Sequence, residues 1–404
     1  MRITRFLFTA VAVLLPAWRA TAAVIGPTIG LPVEWVWARD LNPNRSFVMV
    51  SSLRDFAVAS NGTDFFVAWR QRGLVGVVGP NGEPPRTARE GVFGIRIDAS
   101  GNVLDVDPIQ LPIPPVGDTC DFGSVDCSPP SGLSMSTDWL AFADKSDSYL
   151  ACNGGCVRVD SNGTLLDESP IPSLPSRGTV LSDGRNHFVL ADGQIFFVHK
   201  HARVVANPLA VPLGATASDG DNFLSVAGSQ ISLFDSEGVT LNVTAMPVQP
   251  SRGALTFDGV EYLFFWAGSG PDGPGRYVTR VSTDGEPLDT SPRLASPAVF
   301  GGSFDRTYRI SFDGMNAVAA WCDVCVHDRN VVPIAVIQKA DQADSITGTL
   351  VGFTGPMLLT GLALASNSTG ISVVVVDGVT FTPTFHTRSF FPKIQFVTTW
   401  APSL

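Results

Sequence analysis

The ten residues SNGTDFFVAW, at positions 60–69, join a turn directly to an aromatic strand. The same order, with Trp seven residues after Gly, returns as DGVEYLFFW at 258–266 and as DGMNAVAAW at 313–321. Glycine tolerates the positive φ of a tight turn, and an aromatic, β-branched run favours a strand. The repeated unit therefore predicts a scaffold hairpin whose Trp packs against a neighbouring sheet.

A second repeated half-motif follows the first. It occurs as RIDASGNVLD at 96–105, RVDSNGTLLD at 158–167 and RVSTDGEPLD at 280–289, with the worn copy DSEGVTLN at 235–242. Each copy has an apolar strand, a Gly-bearing turn and a returning strand, which is the pattern of a β-hairpin. Two hairpins make a four-stranded antiparallel sheet, and tandem units of about 35–60 residues indicate a propeller or a β-solenoid.

The number of copies sets the expected architecture. Strands such as FFVAW and ISVVVV are apolar on both faces, as expected for sheets packed between two neighbours. Since closure removes exposed sheet edges, we predict an all-β chain folded as a closed β-propeller of four-stranded antiparallel blades. Seven blades are preferred, with six or eight as alternatives, and residues 46–52 are predicted to complete the last blade. The turn-plus-strand copies lie at Gly62, Gly184, Gly220, Gly259 and Gly314, with degenerate copies near Ser136 and Ser366.

The first residues have the order of a secretory signal peptide: MRITR, then the apolar run at 6–18, then RATAA. The apolar run is shorter than the roughly 20 residues that a membrane-spanning helix needs. We expect cleavage after Ala22 or Ala23. Residues 1–23 are then a signal peptide, and 24–404 form a single soluble, monomeric domain that is secreted or periplasmic.

Charge and composition exclude some classes of partner. The chain has a formal net charge of −10, and the predicted signal removes three arginines from it. An acidic surface repels phosphates, so we predict neither a nucleic-acid partner nor an anionic membrane. Only 16% of the residues are charged and 45% are hydrophobic, which favours a large buried core over disorder.

The six cysteines fall in close pairs, which in an exported chain predict three local disulfides. An alternative joins CNGGC at 152–156 and CDVC at 322–325 in one zinc site, although their spacings differ. A thioredoxin-like role for CDVC requires a helix after the first Cys, whereas a strand precedes it here. The predicted pairs are Cys120 with Cys127, Cys152 with Cys156, and Cys322 with Cys325.

Taken together, the two half-motifs resemble the tandem propeller-type repeats of large exported bacterial proteins. The resemblance rests on S/D-N/D-G…F-x-V-x-W followed by R-V-D-x-x-G-x-x-L-D, and it covers most of residues 53 to 391. It implies no shared catalytic residues.

The histidine-rich segment HKH at 199–201 is the best metal candidate, because alternate residues of a strand face the same way. If Asp192-Gly193 forms a two-residue hairpin, however, His187 pairs with Val198 and faces away from His199. The three histidines then do not converge on a metal ion.

Turn carboxylates invite a calcium site, particularly Asp98, Asp105 and Asp107. No EF-hand-type loop is present, and turn Asp usually accepts hydrogen bonds from its own backbone. We therefore expect no cofactor, with calcium left open. Glycosylation also stays open, at the sequons of Asn44, Asn61, Asn162, Asn242 and Asn367.

In a four-stranded meander the tight motif turns share one end of the sheet, and the other connections share the opposite end. The long connections at 70–91, 106–131, 267–275 and 322–330 are therefore expected on one common face. Loops on a rigid scaffold commonly carry binding residues, and Arg and aromatic side chains are enriched in binding hot spots. The candidate binding residues are Arg70, Arg72, Arg86, Arg89, Tyr149, Arg276, Tyr277, His327 and Arg329.

Two functions of different classes remain open from the sequence. The first is an exported non-catalytic propeller that binds a protein or glycan, or serves as a surface-structural module, through its long-loop face. The alternative is a secreted polysaccharide hydrolase or lyase with carboxylates at the central channel. The sequence contains no HExxH, GxSxG or GxxxxGK[ST] motif to favour the enzyme.

Overall fold

The computed structural model describes residues 24–30, 50–75, 87–114, 138–176, 178–297, 307–322, 331–338, 346–352, 357–381, 388–390 and 393–398. Within these ranges every regular element is a β-strand. No helix of the described residues is long and apolar enough to cross a bilayer. The predicted signal peptide, with Cys120, Cys127 and Cys325, lies outside the described residues.

The described strands form seven antiparallel sheets that follow one another along the chain, and five of these sheets have four strands. The expectation of an all-β chain made of four-stranded antiparallel sheets is thereby confirmed. Sheets 1 to 6 are meanders, in which each strand pairs with the next. Sheet 1 contains β2 (Val50–Ser60), β3 (Phe65–Val75), β4 (Thr87–Ile97) and β5 (Ile109–Leu111); sheet 2 contains β6 (Leu140–Ala143), β7 (Ser148–Cys152) and β8 (Cys156–Asp160); sheet 3 contains β9 (Thr179–Ser182), β10 (His187–Ala191), β11 (Gln194–Val198) and β12 (Val204–Pro208). Sheet 4 contains β13 (Ala215–Ser218), β14 (Asn222–Ala227), β15 (Gln230–Asp235) and β16 (Thr240–Ala245); sheet 5 contains β17 (Arg252–Phe257), β18 (Tyr262–Gly270), β19 (Gly273–Val281) and β20 (Arg293–Pro297); sheet 6 contains β21 (Thr307–Phe312), β22 (Asn316–Cys322), β23 (Val331–Gln338) and β24 (Ile346–Gly352). Sheet 7 contains β25 (Met357–Ser366), β26 (Ile371–Phe381), β27 (Arg388–Phe390), β28 (Lys393–Thr398) and β1 (Val24–Gly30).

Each sheet contacts the next through its first strand. β2 contacts β6, β6 contacts β9, β9 contacts β13, β13 contacts β17, β17 contacts β21, and β21 contacts β25. β25 in turn contacts β2, so the series of first strands returns to its beginning. The first strands of successive sheets are therefore neighbours.

The core lies between successive sheets. In β18, Tyr262, Phe264 and Trp266 pack with side chains of sheet 4, whereas Leu263 and Phe265 pack with side chains of sheet 6. Because successive residues of a strand point to opposite faces, a strand buried between two sheets must be apolar throughout. The Trp of the opening motif belongs to this packing, since Trp69, Trp266 and Trp321 are 1%, 0% and 3% exposed.

The strand that completes sheet 7 differs from the predicted one. β1 pairs with β28, with Val24 opposite Thr398 and Gly30 opposite Lys393, whereas the predicted residues 46–52 overlap β2, the first strand of sheet 1. The sequence VIGPTIG, with Pro27, does not resemble a strand. Proline is nevertheless tolerated on an edge strand or at a bulge, and β1 is an edge strand whose register shifts between Ile25 and Thr28.

A disulfide joins Cys152 and Cys156, which lie opposite each other at the ends of β7 and β8. This predicted pair is confirmed. Because both sulfurs are in the disulfide, the zinc site that required them is wrong. Cys322 ends β22, and its pairing with Cys325 and that of Cys120 with Cys127 stay predictions.

Removing this disulfide is expected to lower the free energy of unfolding by about 2 kcal/mol, the chain-entropy value for so short a loop. The variant is the double substitution Cys152→Ala and Cys156→Ala, measured by urea denaturation. Mass spectrometry after alkylation without reductant should find neither thiol labelled in the wild type. Labelling of either cysteine, or equal stability of the variant, would contradict the assignment.

Candidate functional site

The turns that join first and second strands are held by their own side chains. The Asp219 carboxylate accepts backbone N–H bonds from Asp221 at 2.9 Å and Asn222 at 2.7 Å. Asp258 and Asp313 bond to their turns in the same way. These Asx turns engage the three carboxylates in holding their own backbone, which assigns them a structural role.

The calcium candidates behave similarly. Asp98 accepts backbone N–H bonds from Ser100 at 2.8 Å and Asn102 at 2.7 Å, and Asp105 is paired with Arg96. Burial opposes ionisation of Asp98, but the hydrogen bonds from Asn102 and Ser100 outweigh it and lower the pKa of this carboxyl. Over the described ranges no three His, Cys, Asp or Glu side chains are grouped to hold a metal ion.

The Arg and Asp that open and close the second half-motif form an ion pair. Arg158 donates from its backbone N–H and from Nε to Asp167 Oδ2, at 2.9 Å each, and from Nη2 to Asp167 Oδ1 at 2.7 Å. Arg96 with Asp105 and Arg280 with Asp289 repeat the arrangement. The carboxylate therefore fixes both the strand and the guanidinium.

Two of these arginines, Arg96 and Arg158, also reach the next sheet. Arg96 Nη1 donates to the carbonyl of Ser161 in a turn of sheet 2 at 3.1 Å, and Arg158 Nη1 donates to the carbonyl of Lys200 in sheet 3. In the worn copy of sheet 4, Asn242 Nδ2 donates to the carbonyl of Asp284 in sheet 5 at 2.8 Å. We call this arrangement the inter-sheet brace. It assigns the repeated motif to architecture.

The HKH segment forms a turn rather than the predicted strand. His199 to Ala202 is the sheet 3 copy of the motif turn, with Ala202 at φ 59° in place of the usual glycine. The predicted pairing of His187 with Val198 is confirmed. His187 is buried, so the three histidines do not form a site.

His187 belongs to a buried polar cluster between sheets 2 and 3. Ser146 donates to the carbonyl of Ala143 at 3.1 Å, Ser148 donates to Ser146 Oγ at 2.9 Å, and Ser148 Oγ lies 3.3 Å from His187 Nε2. Because Ser148 donates its proton to Ser146, its oxygen is the acceptor for an N–H at His187 Nε2. Burial, aided by the nearby charge of Arg158, lowers the pKa of His187 to about 3. Ser148 and His187 are both 0% exposed, which leaves no access for a substrate.

Acid should destabilise the protein through His187. The unfolded chain protonates this His near its ordinary pKa of 6.5, whereas the folded protein keeps it neutral to about 3. In this window the unfolded state binds the extra proton, so the free energy of unfolding falls as the pH falls, by about 2 kcal/mol from about pH 7.5 to about pH 5. His187→Phe, which installs the residue found at the equivalent Phe65 and Phe223, should lack this part of the loss in urea denaturation. An unchanged pH slope in the variant would contradict the assignment.

At the end opposite the tight turns, the sheets extend to different distances because their second strands differ in length. Counted from the tight turn, β3 and β26 run for 11 residues and β18 for 9, whereas β7 and β10 run for 5 and β14 for 6. At about 3.4 Å per residue, the second strands of sheets 1 and 7 extend roughly 20 Å further than those of sheets 2 and 3. Sheets 1 and 7 are also in contact. We call their extended part the raised sector; it comprises residues 50–55, 70–75, 87–92, 357–360, 376–381 and 388–390.

Basic residues are concentrated in the raised sector, which carries five arginines against three carboxylates. Arg54 lies opposite Arg70, Arg72 lies opposite Glu90, and Arg89 lies opposite Gly73. Residues 70–75 and 87–91 of the predicted loop therefore form a two-stranded ribbon, which places Arg70, Arg72 and Arg89 on strands. Arg86, His327 and Arg329 lie outside the described residues.

Three predicted binding residues belong to the core and are therefore no longer candidates for a binding surface. Tyr149 is 0% exposed and stacks on Phe66, and Tyr277 is 0% exposed and stacks on Trp266. Arg276 is 3% exposed, with its guanidinium carbon 6.0 Å from the ring centre of Trp321. The predicted loop at 267–275 is instead the end of a hairpin.

One charged pair between sheets 6 and 2 was not predicted from the sequence. Arg309 of β21 in sheet 6 places Nε 3.9 Å from Oδ1 of Asp138, which precedes β6 in sheet 2. Its Nη1 donates to the carbonyl of Tyr308 at 2.6 Å. A single Arg within YRISF has no motif to mark it. Aligning the first strands by their turns would have shown it, because Ala254 of sheet 5 and Ala363 of sheet 7 occupy the same place.

Neither the protein-family models nor the curated proteins contain a match to this chain. Solved structures do show likeness. A protein of unknown function from Dyadobacter fermentans DSM 18053 is 12% identical, with a TM-score of 0.40 over 85% of this chain and 94% of that chain. A subtype N10 neuraminidase-like protein of A/little yellow-shouldered bat/Guatemala/060/2010 is 9% identical, with a TM-score of 0.35 over 95% of this chain and 100% of that chain. A protein of unknown function from Bacteroides caccae is 14% identical, with a TM-score of 0.30 over 51% of this chain and 72% of that chain.

Proposed function

We propose that the protein is an exported, non-catalytic binding module, built as a closed seven-bladed β-propeller, that binds an acidic glycan or protein through its raised sector. The contact of β25 with β2 and the pairing of β1 with β28 support ring closure. The signal-like first residues and the Cys152–Cys156 disulfide support export.

The observation that carries the binding proposal is the charge of the raised sector. Five arginines stand there against three carboxylates, in a chain whose formal net charge is −10. A local excess of Arg on an acidic protein favours an anionic ligand, because the planar guanidinium pairs with carboxylate or sulfate groups through two hydrogen bonds. At the tight-turn end, by contrast, Asp219, Asp258 and Asp313 hold their own turns, and Arg96 and Arg158 belong to the inter-sheet brace.

The test uses the purified mature protein and immobilised polygalacturonate, dextran sulfate and neutral dextran. The wild type should bind the two acidic polymers and not dextran. The double variant Arg72→Glu and Arg89→Glu should weaken that binding at least about tenfold. The matched control is Arg185→Glu with Arg203→Glu, which makes the same charge change at exposed residues of sheet 3.

Equal loss in both variants would show that overall charge, not the raised sector, governs binding. Retention of dextran as well as of the acidic polymers would contradict recognition by charge. Release of soluble oligosaccharides from polygalacturonate would favour the hydrolase or lyase alternative.

A further inference from the structure

Arg309 is an unusual residue for the place that it occupies in its first strand. It lies three residues before the end of β21, and in the other sheets this place belongs to Ala57, Leu140, Thr179, Ala215, Ala254 and Ala363. Five of these six side chains are small. Ala57, Ala254 and Ala363 pack in or against the cores between neighbouring sheets. Arg309 is therefore a long, charged side chain at a place where most of its counterparts are small.

One side of the Arg309 guanidinium donates a hydrogen bond, whereas the Nε on its other side does not. Nη1 donates to the carbonyl of Tyr308, which fixes the plane of the group. Nε is shielded from solvent and has no hydrogen-bond acceptor among the described residues. The Asp138 carboxylate lies 3.9 Å from Nε, which is too far for a hydrogen bond. The Nε atom thus lies near the Asp138 carboxylate but donates no hydrogen bond to it.

The pair also spans the centre. Asp138 belongs to sheet 2 and Arg309 to sheet 6, and sheets 1 and 7 lie between them in the contact series. Asp138 is 54% exposed, whereas Arg309 is 15% exposed. The acidic partner is thus open to solvent and the basic partner is anchored, which is the arrangement expected if the acid can be displaced.

We propose that Arg309 forms a carboxylate-binding site at the centre of the first strands, in which a ligand carboxylate displaces Asp138 and accepts two hydrogen bonds from Nε and Nη2. The ligand class is a small organic acid or the acidic group of a uronic sugar. Side-on pairing of a guanidinium with a carboxylate gives this geometry and supplies the acceptor that Nε lacks. The site is separate from the raised sector and does not depend on it.

Isothermal titration calorimetry with galacturonate, and with galactose as the neutral counterpart, tests the proposal. The wild type should bind galacturonate and not galactose. Arg309→Gln should weaken binding at least about tenfold, because it removes the charged fork. Asp138→Asn should strengthen binding about two- to fivefold, because it removes the competing charge.

Arg185→Gln, at an exposed arginine of sheet 3, is the matched control and should leave the affinity unchanged. The raised-sector variant Arg72→Glu with Arg89→Glu should also keep galacturonate binding, which separates this site from the proposed polymer surface. If Arg309→Gln does not fold, the Asp138→Asn result decides, since Asp138 is half exposed. Equal affinity in the wild type and Asp138→Asn, or no galacturonate binding by either, would overturn the proposal.

Discussion

Replacing Trp266 by Ala should lower the free energy of unfolding by about 5 kcal/mol or more. The side chain is 0% exposed and stacks on Tyr277, so its removal leaves a cavity between sheets 4 and 5 worth about 3–5 kcal/mol. Trp266 Nε1 also donates to Thr279 Oγ1 at 2.9 Å. Thr279 is itself buried, so losing this donor adds about 1–3 kcal/mol. Urea denaturation monitored by circular dichroism measures the change.

The same motif supplies a matched control for the hydrogen bond. Trp69 is equally buried, but its Nε1 has no hydrogen-bond partner among the described residues. Trp266→Phe should therefore cost about 1–3 kcal/mol more than Trp69→Phe. Near-neutral Ala variants at both places would contradict the buried packing of these side chains.

The second large effect is expected at the inter-sheet brace. Asp167→Ala should destabilise the protein by about 3–5 kcal/mol, because it leaves the Arg158 guanidinium buried without its carboxylate. Arg158 is 6% exposed, and the side chain of Asp167 is 11% exposed. The loss should be larger than that of an exposed ion pair, which contributes about 0–1 kcal/mol. Thermal and urea unfolding of the variant give the measurement.

Asp107→Ala is the control for this prediction, since Asp107 is exposed and follows the motif instead of closing it. It should change stability by less than about 0.5 kcal/mol. Arg158→Lys, which keeps the charge but loses the fork, should fall between the two. A neutral Asp167→Ala variant would show that the brace is a consequence of the fold and not a support for it.

The repeated architecture was predictable because the repeated units share the same turn and strand signals in their sequences. Gly62 and Asn61 mark a turn, and Phe65 to Trp69 are apolar without alternation, so a strand packed on both faces follows directly. The Arg–Asp brace was visible as a motif but not as an interaction, because its partners in the next sheet, the carbonyls of Ser161 and Lys200, leave no trace in side-chain patterns.

The errors arose where glycine and proline have roles other than turns. AGSGPDGPG was taken as a loop, yet only two residues separate β18 from β19. A Cβ at Gly268 would lie 2.9 Å from the Trp266 ring, so this glycine makes room for an aromatic side chain. Arg276 and Tyr277 follow that segment, so they were predicted to lie on the surface together with it. Site prediction failed similarly at Arg309, because its significance depends on side chains from other sheets.

The pairing of β1 with β28 governs the order in which the chain can fold. β28 lies between β1 and β26, so Val24 finds its partner Thr398 only after almost the whole chain has been synthesised. Bringing such distant segments together carries a large loop-closure entropy, so we expect this pairing to form more slowly than the local hairpins. During translation the early sheets can assemble, but β1 must wait as an unpaired strand. The β1–β28 pair therefore forms only after synthesis of the chain is nearly finished.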